Sequence, residues 1–275
     1  MTDRYAVIGN PVAHSKSPFI HAEFARETGQ DLSYSQLLAP LDGFRKAVET
    51  FHAEGGSGLN VTVPFKLEAF ALASLLSERA QSAKAVNTLK FEGAELYGDN
   101  TDGVGLVRDI QDNMRFAIEG RSVLLMGAGG AAQGALLPLL SAKPSRLVVA
   151  NRNLEKAQNL VATLPGAGAT GVALHASTYY DLRGHSFDLV INATSASLHN
   201  SVPDVPLGVF SGDALAYDMM YGSALTPFLQ LAMNQGAARL ADGLGMLVEQ
   251  AAESFFIWRG VRPQTGPVIE ALRSR

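Results

Sequence analysis

The sequence predicts an α/β protein of two domains, and three observations carry that expectation. From Ser122 to Arg152 the chain reads S-V-L-L-M-G-A-G-G-A-A-Q-G-A-L-L-P-L-L-S-A-K-P-S-R-L-V-V-A-N-R. An apolar run (Val123–Met126), a glycine cluster, a helical pattern (Ala131–Ser141) and a second apolar run (Leu147–Ala150) spell strand, turn, helix, strand, which is half of a dinucleotide-binding fold. At 275 residues the chain is longer than one typical domain, and hydrophobic residues at 47% against charged residues at 17% supply ample core.

The spacing Gly127-x-Gly129-x-x-Ala132 follows the Rossmann-type fingerprint: a glycine for the tight turn, a glycine to admit a pyrophosphate, and a small residue for close helix packing. The anion then meets free N–H groups at the helix N-terminus. A site for NAD usually offers an acid at the end of the second strand. Here Asn151-Arg152-Asn153 stand instead, with Lys156 nearby. Arg152 suits a 2′-phosphate as a charge-assisted, bidentate partner, so the cofactor reads as NADP. The other reading, a solvated arginine after an ordinary strand, leaves the missing acid unexplained.

A net charge of −4 argues against nucleic acid as a partner, since phosphate binding needs a basic face. No cysteine is present, which excludes disulfides, thiolate metal sites and cysteine nucleophiles, and the six histidines show no metal-ligand spacing. No metal is expected. The N-terminus lacks a signal-peptide layout and no apolar run reaches membrane-spanning length, so the cytoplasm is the expected setting and no membrane partner is expected.

Taken in order, Tyr5–Ile8 reads as a strand and Gly9-Asn10-Pro11 as a turn. Ser17 before Pro18 reads as the cap of a helix stopped by Gly29; the other reading lets Ser15 and Ser17 project hydroxyls into a pocket. Leu41–Glu54 reads as an amphipathic helix through Leu41, Phe44, Val48 and Phe51, ended by the glycines at 55, 56 and 58. A strand follows, with Leu59, Val61 and Val63 on one face and Asn60 and Thr62 on the other. Lys66 opens a helix running to Leu76, where the positive end of the helix dipole disfavours an ammonium; it is either put to chemical use or a snorkelling surface lysine.

Ala85–Phe91 is the next strand, turning at Glu92-Gly93. Asp102 reads as the N-cap of a helix Val104–Asn113 and as a group placed to face Lys66 across a cleft. Leu154–Leu164 is a helix; Phe187–Ile191 a strand leading to Asn192-Ala193-Thr194-Ser195; Ala214–Asp218 a strand leading to Met219-Met220-Tyr221. Ligands of open α/β sheets bind beyond such strand ends. Met219 also reads as core filler, and Tyr221 as a buried tyrosine wanting a hydroxyl partner. Thr226–Gln235 is a helix, Ala241–Met246 a glycine loop, Leu247–Trp258 a helix carrying Gln250, and Pro263 opens a last turn or helix.

The ordered motifs S-K-S-P (15–18), N-V-T-V-P-F-K (60–66), A-V-N-T (85–88), G-D-N-T-D-G (98–103), G-A-G-G-A (127–131), N-R (151–152), N-A-T-S (192–195), D-M-x-Y (218–221) and A-D-G-L-G-M-L (241–247) span nearly the whole chain. Through them it resembles the NADP-dependent shikimate dehydrogenases. The resemblance implies a substrate domain at 1–103 plus 241–275 and a Rossmann-type NADP domain at 104–240, with a cleft between them. It implies Lys66 and Asp102 as the catalytic pair, and Ser15, Ser17, Asn60, Thr62, Asn87, Tyr221 and Gln250 as substrate partners. Gly127, Ala128, Gly129, Gly130, Ala131, Asn151, Arg152, Asn153, Lys156, Thr194, Met219 and Gly243 match cofactor positions, with Glu78 a further candidate near the nicotinamide end.

The implied reaction is reversible NADPH-dependent reduction of 3-dehydroshikimate to shikimate, by a monomer or a homodimer. The rivals are a quinate/shikimate dehydrogenase with relaxed cofactor use and a non-catalytic NADP-sensing protein on the same fold. Three positions depart from the family pattern: Lys84 where glycine is usual, Asn153 where threonine is common, and Ala196-Ser197 after N-A-T-S.

Overall fold

The structure, a computed structural model, describes residues 2–164, 171–194, 196 and 201–275. Ser195 and Ser197 lie outside them. The chain forms two compact units, Met1–Gly105 with Val248–Arg275, and Leu106–Leu247. Residues 241–247, expected with the C-terminal segment, pack with the second unit because Arg239–Asp242 is a strand of its sheet.

The first unit holds β1 (Asp3–Gly9), α1 (Ser17–Thr28), β2 (Leu32–Leu38), α2 (Phe44–Ala53), β3 (Gly56–Val61), α3 (Lys66–Leu72), β4 (Leu75–Leu76), α4 (Glu78–Ala83), β5 (Thr88–Glu92) and β6 (Glu95–Asp99). Its sheet runs β2-β1-β3-β5-β6-β4, parallel across β2, β1 and β3 and antiparallel across β3, β5 and β6. Period-two alternation makes β1 serve both faces. Ala6 and Ile8 enter one core with Phe44, Val48, Leu59, Val61 and Phe65, while Tyr5 stacks on Trp258 at 4.5 Å on the other side.

Several local expectations change here. Ser17 is the first helical residue and caps nothing; Lys16 holds the cap position, and the Ser17 N–H donates to Ser15 Oγ at 3.3 Å. Leu41 is exposed, because α2 starts at Phe44. Gly56 and Gly58 do not end that helix but sit inside β3, packed against Phe51 and Trp258 where no side chain fits. The strand stops at Val61: the Phe65 N–H turns back to the Thr62 carbonyl at 3.0 Å, which leaves Val63 exposed rather than on the core face. Helix α3 ends at Leu72, and Leu75–Leu76 pairs with β6 instead.

The second unit begins as α5 (Asp102–Arg108) runs into a π-helical turn at Asp109–Asn113. It continues with β7 (Ser122–Met126), α6 (Gly130–Ser141), β8 (Arg146–Ala150), α7 (Leu154–Ala162), β9 (Ala173–Ser177), β10 (Phe187–Asn192), β11 (Phe210–Asp218), α8 (Pro227–Asn234) and β12 (Arg239–Asp242). The sheet is parallel throughout, in the order β12-β11-β10-β7-β8-β9. Val123 and Leu125 enter one core and Leu124 and Met126 the other, the burial on both faces that makes such strands continuous apolar runs. The expected glycine loop at 241–246 is β12 followed directly by α9 (Leu244–Arg259), with Gly243 alone between them. The chain closes on α10 (Gly266–Arg273) in the first unit. Among the described residues no helix is long and apolar enough to cross a membrane.

Lys84 ends α4 in the left-handed region, at φ 49° and ψ 33°, where a Cβ is crowded and glycine is not. Lys84→Gly is expected to stabilise the first unit by about 1 kcal/mol, read as a higher urea midpoint by the fluorescence of Trp258, the chain's one tryptophan.

His21 is fully buried against Tyr34 (4.2 Å, 6°) and Trp258 (5.4 Å), and desolvation, opposed in part by its contact with Asn60, lowers its pKa to about 3. The unfolded chain therefore takes up a proton below about pH 6.5 that the folded chain refuses, so stability falls as pH drops through that window. Relative to His21→Phe, the natural protein should lose about 2 kcal/mol between pH 7 and pH 5 in urea unfolding; parallel pH dependences would exclude this cause.

Candidate active site

Three stretches of the first unit are laced by their backbones: Val61 N–H to the Asn87 carbonyl (2.7 Å), Val86 N–H to the Lys66 carbonyl (2.9 Å) and Asn87 N–H to the Asp99 carbonyl (3.0 Å). The lacing brings Lys66, Asn87 and Asp102 together. Lys66 Nζ donates to Asp102 Oδ2 at 2.6 Å, with the two side chains 31% and 21% exposed. Asn87 Nδ2 donates to the other oxygen, Oδ1, at 2.7 Å. A charge-assisted bond this short, sheltered on one side and open on the other, is a fixed ammonium within reach of solvent. Asp102 opens α5 and does not cap it; Asn100 Oδ1 accepts the Asp102 N–H at 3.2 Å, which frees the carboxylate for Lys66.

Gln250 joins this cluster through Oε1, which accepts from Asn87 Nδ2 and Thr101 Oγ1, each at 3.4 Å. Gly105 permits its approach, since a Cβ there would meet the Gln250 backbone nitrogen at 2.6 Å. Asn60 is buried, accepting from Tyr34 Oη at 2.7 Å and donating to Ser254 Oγ at 2.9 Å. Thr62 is half-buried beside Gly9, whose missing side chain makes room for the Thr62 methyl. Ser17 is buried and also bonded to the Tyr34 hydroxyl, while Ser15 is half-buried.

No motif in the sequence assigns a role to Tyr34, Thr88, Thr101 or Ser254. Their signals were present: Ser254 lies one turn beyond Gln250 on α9, Thr88 and Thr101 stand inside quoted motifs, and Tyr34 sits in an alternating stretch at 32–38. The loop bearing Asp102 is fixed from behind by Asp99, which takes Arg79 Nη2 at 2.6 Å and Ser77 Oγ at 2.5 Å.

In the second unit the strand order reverses between β7 and β10, the switch point where open α/β sheets bind ligands. Gly127 ends β7 at φ 107°, a conformation for glycine alone, and a Cβ on it would meet Thr194 Cγ2 at 3.1 Å. Ala128 is half-buried, whereas Gly129, Gly130 and Ala131 are exposed at the start of the 12-residue α6, which has no side-chain cap and no acid in its first turn. Its N–H groups fit a pyrophosphate. Thr194 bonds to Asn192 Oδ1 at 2.7 Å.

Beyond β8, Asn151 Nδ2 bonds to the Asn153 carbonyl at 3.0 Å, and Asn153 caps α7 through Oδ1. Arg152, Asn153 and Lys156 are exposed, with no acid among residues 151–154, which fits a 2′-phosphate. Met219 packs on the core, and its carbonyl fills the place a Cβ would take on Gly243, so that glycine serves a close backbone approach within the protein.

One candidate differs from expectation in its burial. Tyr221 is 38% exposed, so it is not the buried tyrosine that its place after β11 suggested; partial desolvation and the charge of Asp242 still raise its phenol pKa. Glu78 is exposed at the start of α4, where an acid complements the helix dipole.

A parallel sheet in this order, with a glycine turn at its switch point, defines a dinucleotide-binding α/β protein. Residues 7–89 match the family model described as shikimate dehydrogenase substrate binding domain, residues 109–201 shikimate / quinate 5-dehydrogenase, and residues 243–273 shikimate 5'-dehydrogenase C-terminal domain. The shikimate dehydrogenase (NADP(+)) of Nitrosospira multiformis is 61% identical over 274 residues, covering 100% of this chain and 98% of that protein. The solved structure of shikimate 5-dehydrogenase from Thermus thermophilus, in complex with NADP(H) and shikimate, is 30% identical with a TM-score of 0.86 over 99% of each chain. An Ael1 enzyme from Pseudomonas putida is 54% identical with a TM-score of 0.93 over 98% of each chain. The chain belongs to the shikimate dehydrogenase family.

Proposed function

We propose that the chain is an NADP-dependent shikimate dehydrogenase that reversibly reduces the ketone of 3-dehydroshikimate to the hydroxyl of shikimate. The observation that carries this reading is the 2.6 Å Lys66–Asp102 pair, a fixed proton donor of the kind that reduction of a ketone requires. In this reading the first unit binds the substrate and the second binds NADP, through the amides of Gly127–Ala131, the polar groups of Asn151–Lys156, and Thr194, Met219 and Gly243. NADPH bound there supplies the hydride that reduces the carbonyl carbon.

As the carbonyl oxygen gains charge, Lys66 Nζ gives it a proton; in the reverse direction it takes the hydroxyl proton back. Asp102 holds Lys66 in place, and Asn87 keeps Asp102 from turning away. Ser15, Ser17, Asn60, Thr62, Asn87, Tyr221 and Gln250 meet the substrate's hydroxyls and carboxylate. A compound lacking one of those hydroxyls leaves a sheltered polar group unpaired, which is the physical basis of strong selection against it. Glu78 is a further cofactor candidate, near the nicotinamide end. The same reading gives a cytoplasmic enzyme, monomer or homodimer, with small-molecule partners and neither nucleic acid nor a membrane.

Initial rates with shikimate and with quinate, each with NADP⁺ and with NAD⁺, test it. Turnover is expected with shikimate and NADP⁺, and Lys66→Ala should lower kcat about 10²- to 10⁴-fold with the KM for NADP⁺ unchanged. Absence of shikimate-dependent NADP⁺ reduction by the natural protein would overturn the reading, and equal rates with quinate or NAD⁺ would move it to the broader quinate/shikimate class.

A further inference from the structure

A file of hydrogen bonds, joined at its side by Thr101 Oγ1 (2.9 Å from Asn87 Nδ2 and 3.3 Å from Ser254 Oγ), leads to the Asp102 carboxylate from deep inside the first unit. Tyr34 Oη donates to Asn60 Oδ1 (2.7 Å), Asn60 Nδ2 to Ser254 Oγ (2.9 Å), Ser254 Oγ meets Thr88 Oγ1 (2.7 Å), Thr88 Oγ1 donates to Asn87 Oδ1 (2.9 Å), and Asn87 Nδ2 to Asp102 Oδ1 (2.7 Å). The direction of the file follows from one group that cannot rotate. The backbone N–H of Thr101 donates to Asn87 Oδ1 at 2.9 Å, which fixes that end of the amide as the acceptor and turns Nδ2 toward Asp102. Thr88 then has to donate to Asn87, and a hydroxyl has one proton, so Ser254 is the donor in the 2.7 Å contact. Its other possible acceptors, the Gln250 carbonyl at 3.0 Å and Thr101 Oγ1 at 3.3 Å, are farther.

Ser254 is fully buried on α9, whereas Tyr34, Asn60 and Thr88 lie on β2, β3 and β5, Asn87 just before β5, and Asp102 at the start of α5. Without its hydroxyl Asn60 Nδ2 keeps the longer contacts to Thr88 Oγ1 (3.2 Å) and the Asn87 carbonyl (3.3 Å), and Thr88 is left with that 3.2 Å donor in place of the 2.7 Å one. Donors aligned head to tail strengthen one another, so a break in the middle is felt at the end. We propose that Ser254 is a positioning residue for the Lys66–Asp102 pair: the Thr101 N–H sets which end of the Asn87 amide faces Asp102, and Ser254, acting through Thr88, holds the second donor on Asn87 Oδ1 and so strengthens the Asn87 N–H on Asp102 Oδ1 that leaves Oδ2 to Lys66. This rests on the functional reading above.

The test compares Ser254→Ala with Ser254→Thr, which keeps the hydroxyl, in steady-state shikimate oxidation with NADP⁺. Ser254→Ala should lower kcat about five- to tenfold, the effect of one lost hydrogen bond in a buried file, with the KM for NADP⁺ unchanged, and Ser254→Thr should restore it. An unchanged kcat in Ser254→Ala, or equal losses in both variants with equal falls in thermal midpoint, would overturn the proposal by making Ser254 a packing residue. If Ser254→Ala does not fold, Tyr34→Phe decides: a lower kcat at constant KM for NADP⁺ supports the file, and an unchanged kcat overturns it. Lack of any shikimate turnover by the natural protein would overturn the functional reading and this proposal together, whereas turnover that is indifferent to Ser254 would overturn this proposal alone.

Discussion

The Asp102 carboxylate is the point on which the first unit's chemistry depends. It accepts from Lys66 on one oxygen and from Asn87 on the other, and the segment that carries it is bound at each preceding residue: Asp99 by Arg79 and Ser77, Asn100 to the Ala85 carbonyl, Thr101 by Asn87. A lysine at a helix N-terminus is badly placed for the helix dipole, and the ion pair offsets that cost. The strain-prone part of the arrangement is therefore satisfied locally. A lysine held this way keeps its proton at one place before any substrate arrives, which is the preorganisation that proton transfer exploits.

The second unit solves a different problem with backbone rather than charge. An anion is best met by amide groups with no partner of their own, and the α6 N-terminus supplies them because Gly129 and Gly130 keep side chains away. The floor of that turn is rigid: Asn192 and Asp218, both fully buried, tie the ends of β10 and β11 through an Nδ2–Oδ1 bond of 3.1 Å, and Thr226 Oγ1 closes on Asp218 at 2.5 Å. Polar groups that fill the ends of strands in this way hold the backbone carrying Thr194 and Met219 without spending the donors that face outward.

The parallel half of the fold was legible in the sequence because burial on both faces writes each strand as an unbroken apolar run, as at Val123–Met126 and Leu147–Ala150. Edge strands carry no such mark. Stretch 32–38 alternates exposed and half-buried positions, and residues 173–177 do the same, so neither β2 nor β9 was anticipated. Tertiary contacts override local turn preference at two glycines: a Cβ at Gly56 or Gly58 would collide with an aromatic ring, so those glycines serve packing inside a strand rather than helix termination. Of the site, Lys66, Asn87 and Asp102 were readable from their motifs. The hydroxyls of Tyr34, Thr88 and Ser254 were not, because a buried serine or threonine in a helix or strand looks like any other until its partners across the fold are known.

The double-mutant cycle of Lys66→Ala and Asp102→Asn on kcat tests most directly whether the two side chains act as one unit. If Asp102 works by holding Lys66, the double variant should be no slower than Lys66→Ala alone, since the held group is already gone. Losses that multiply, with each variant costing its full factor in the presence of the other, would show that the two act independently and would contradict the central place given to their ion pair.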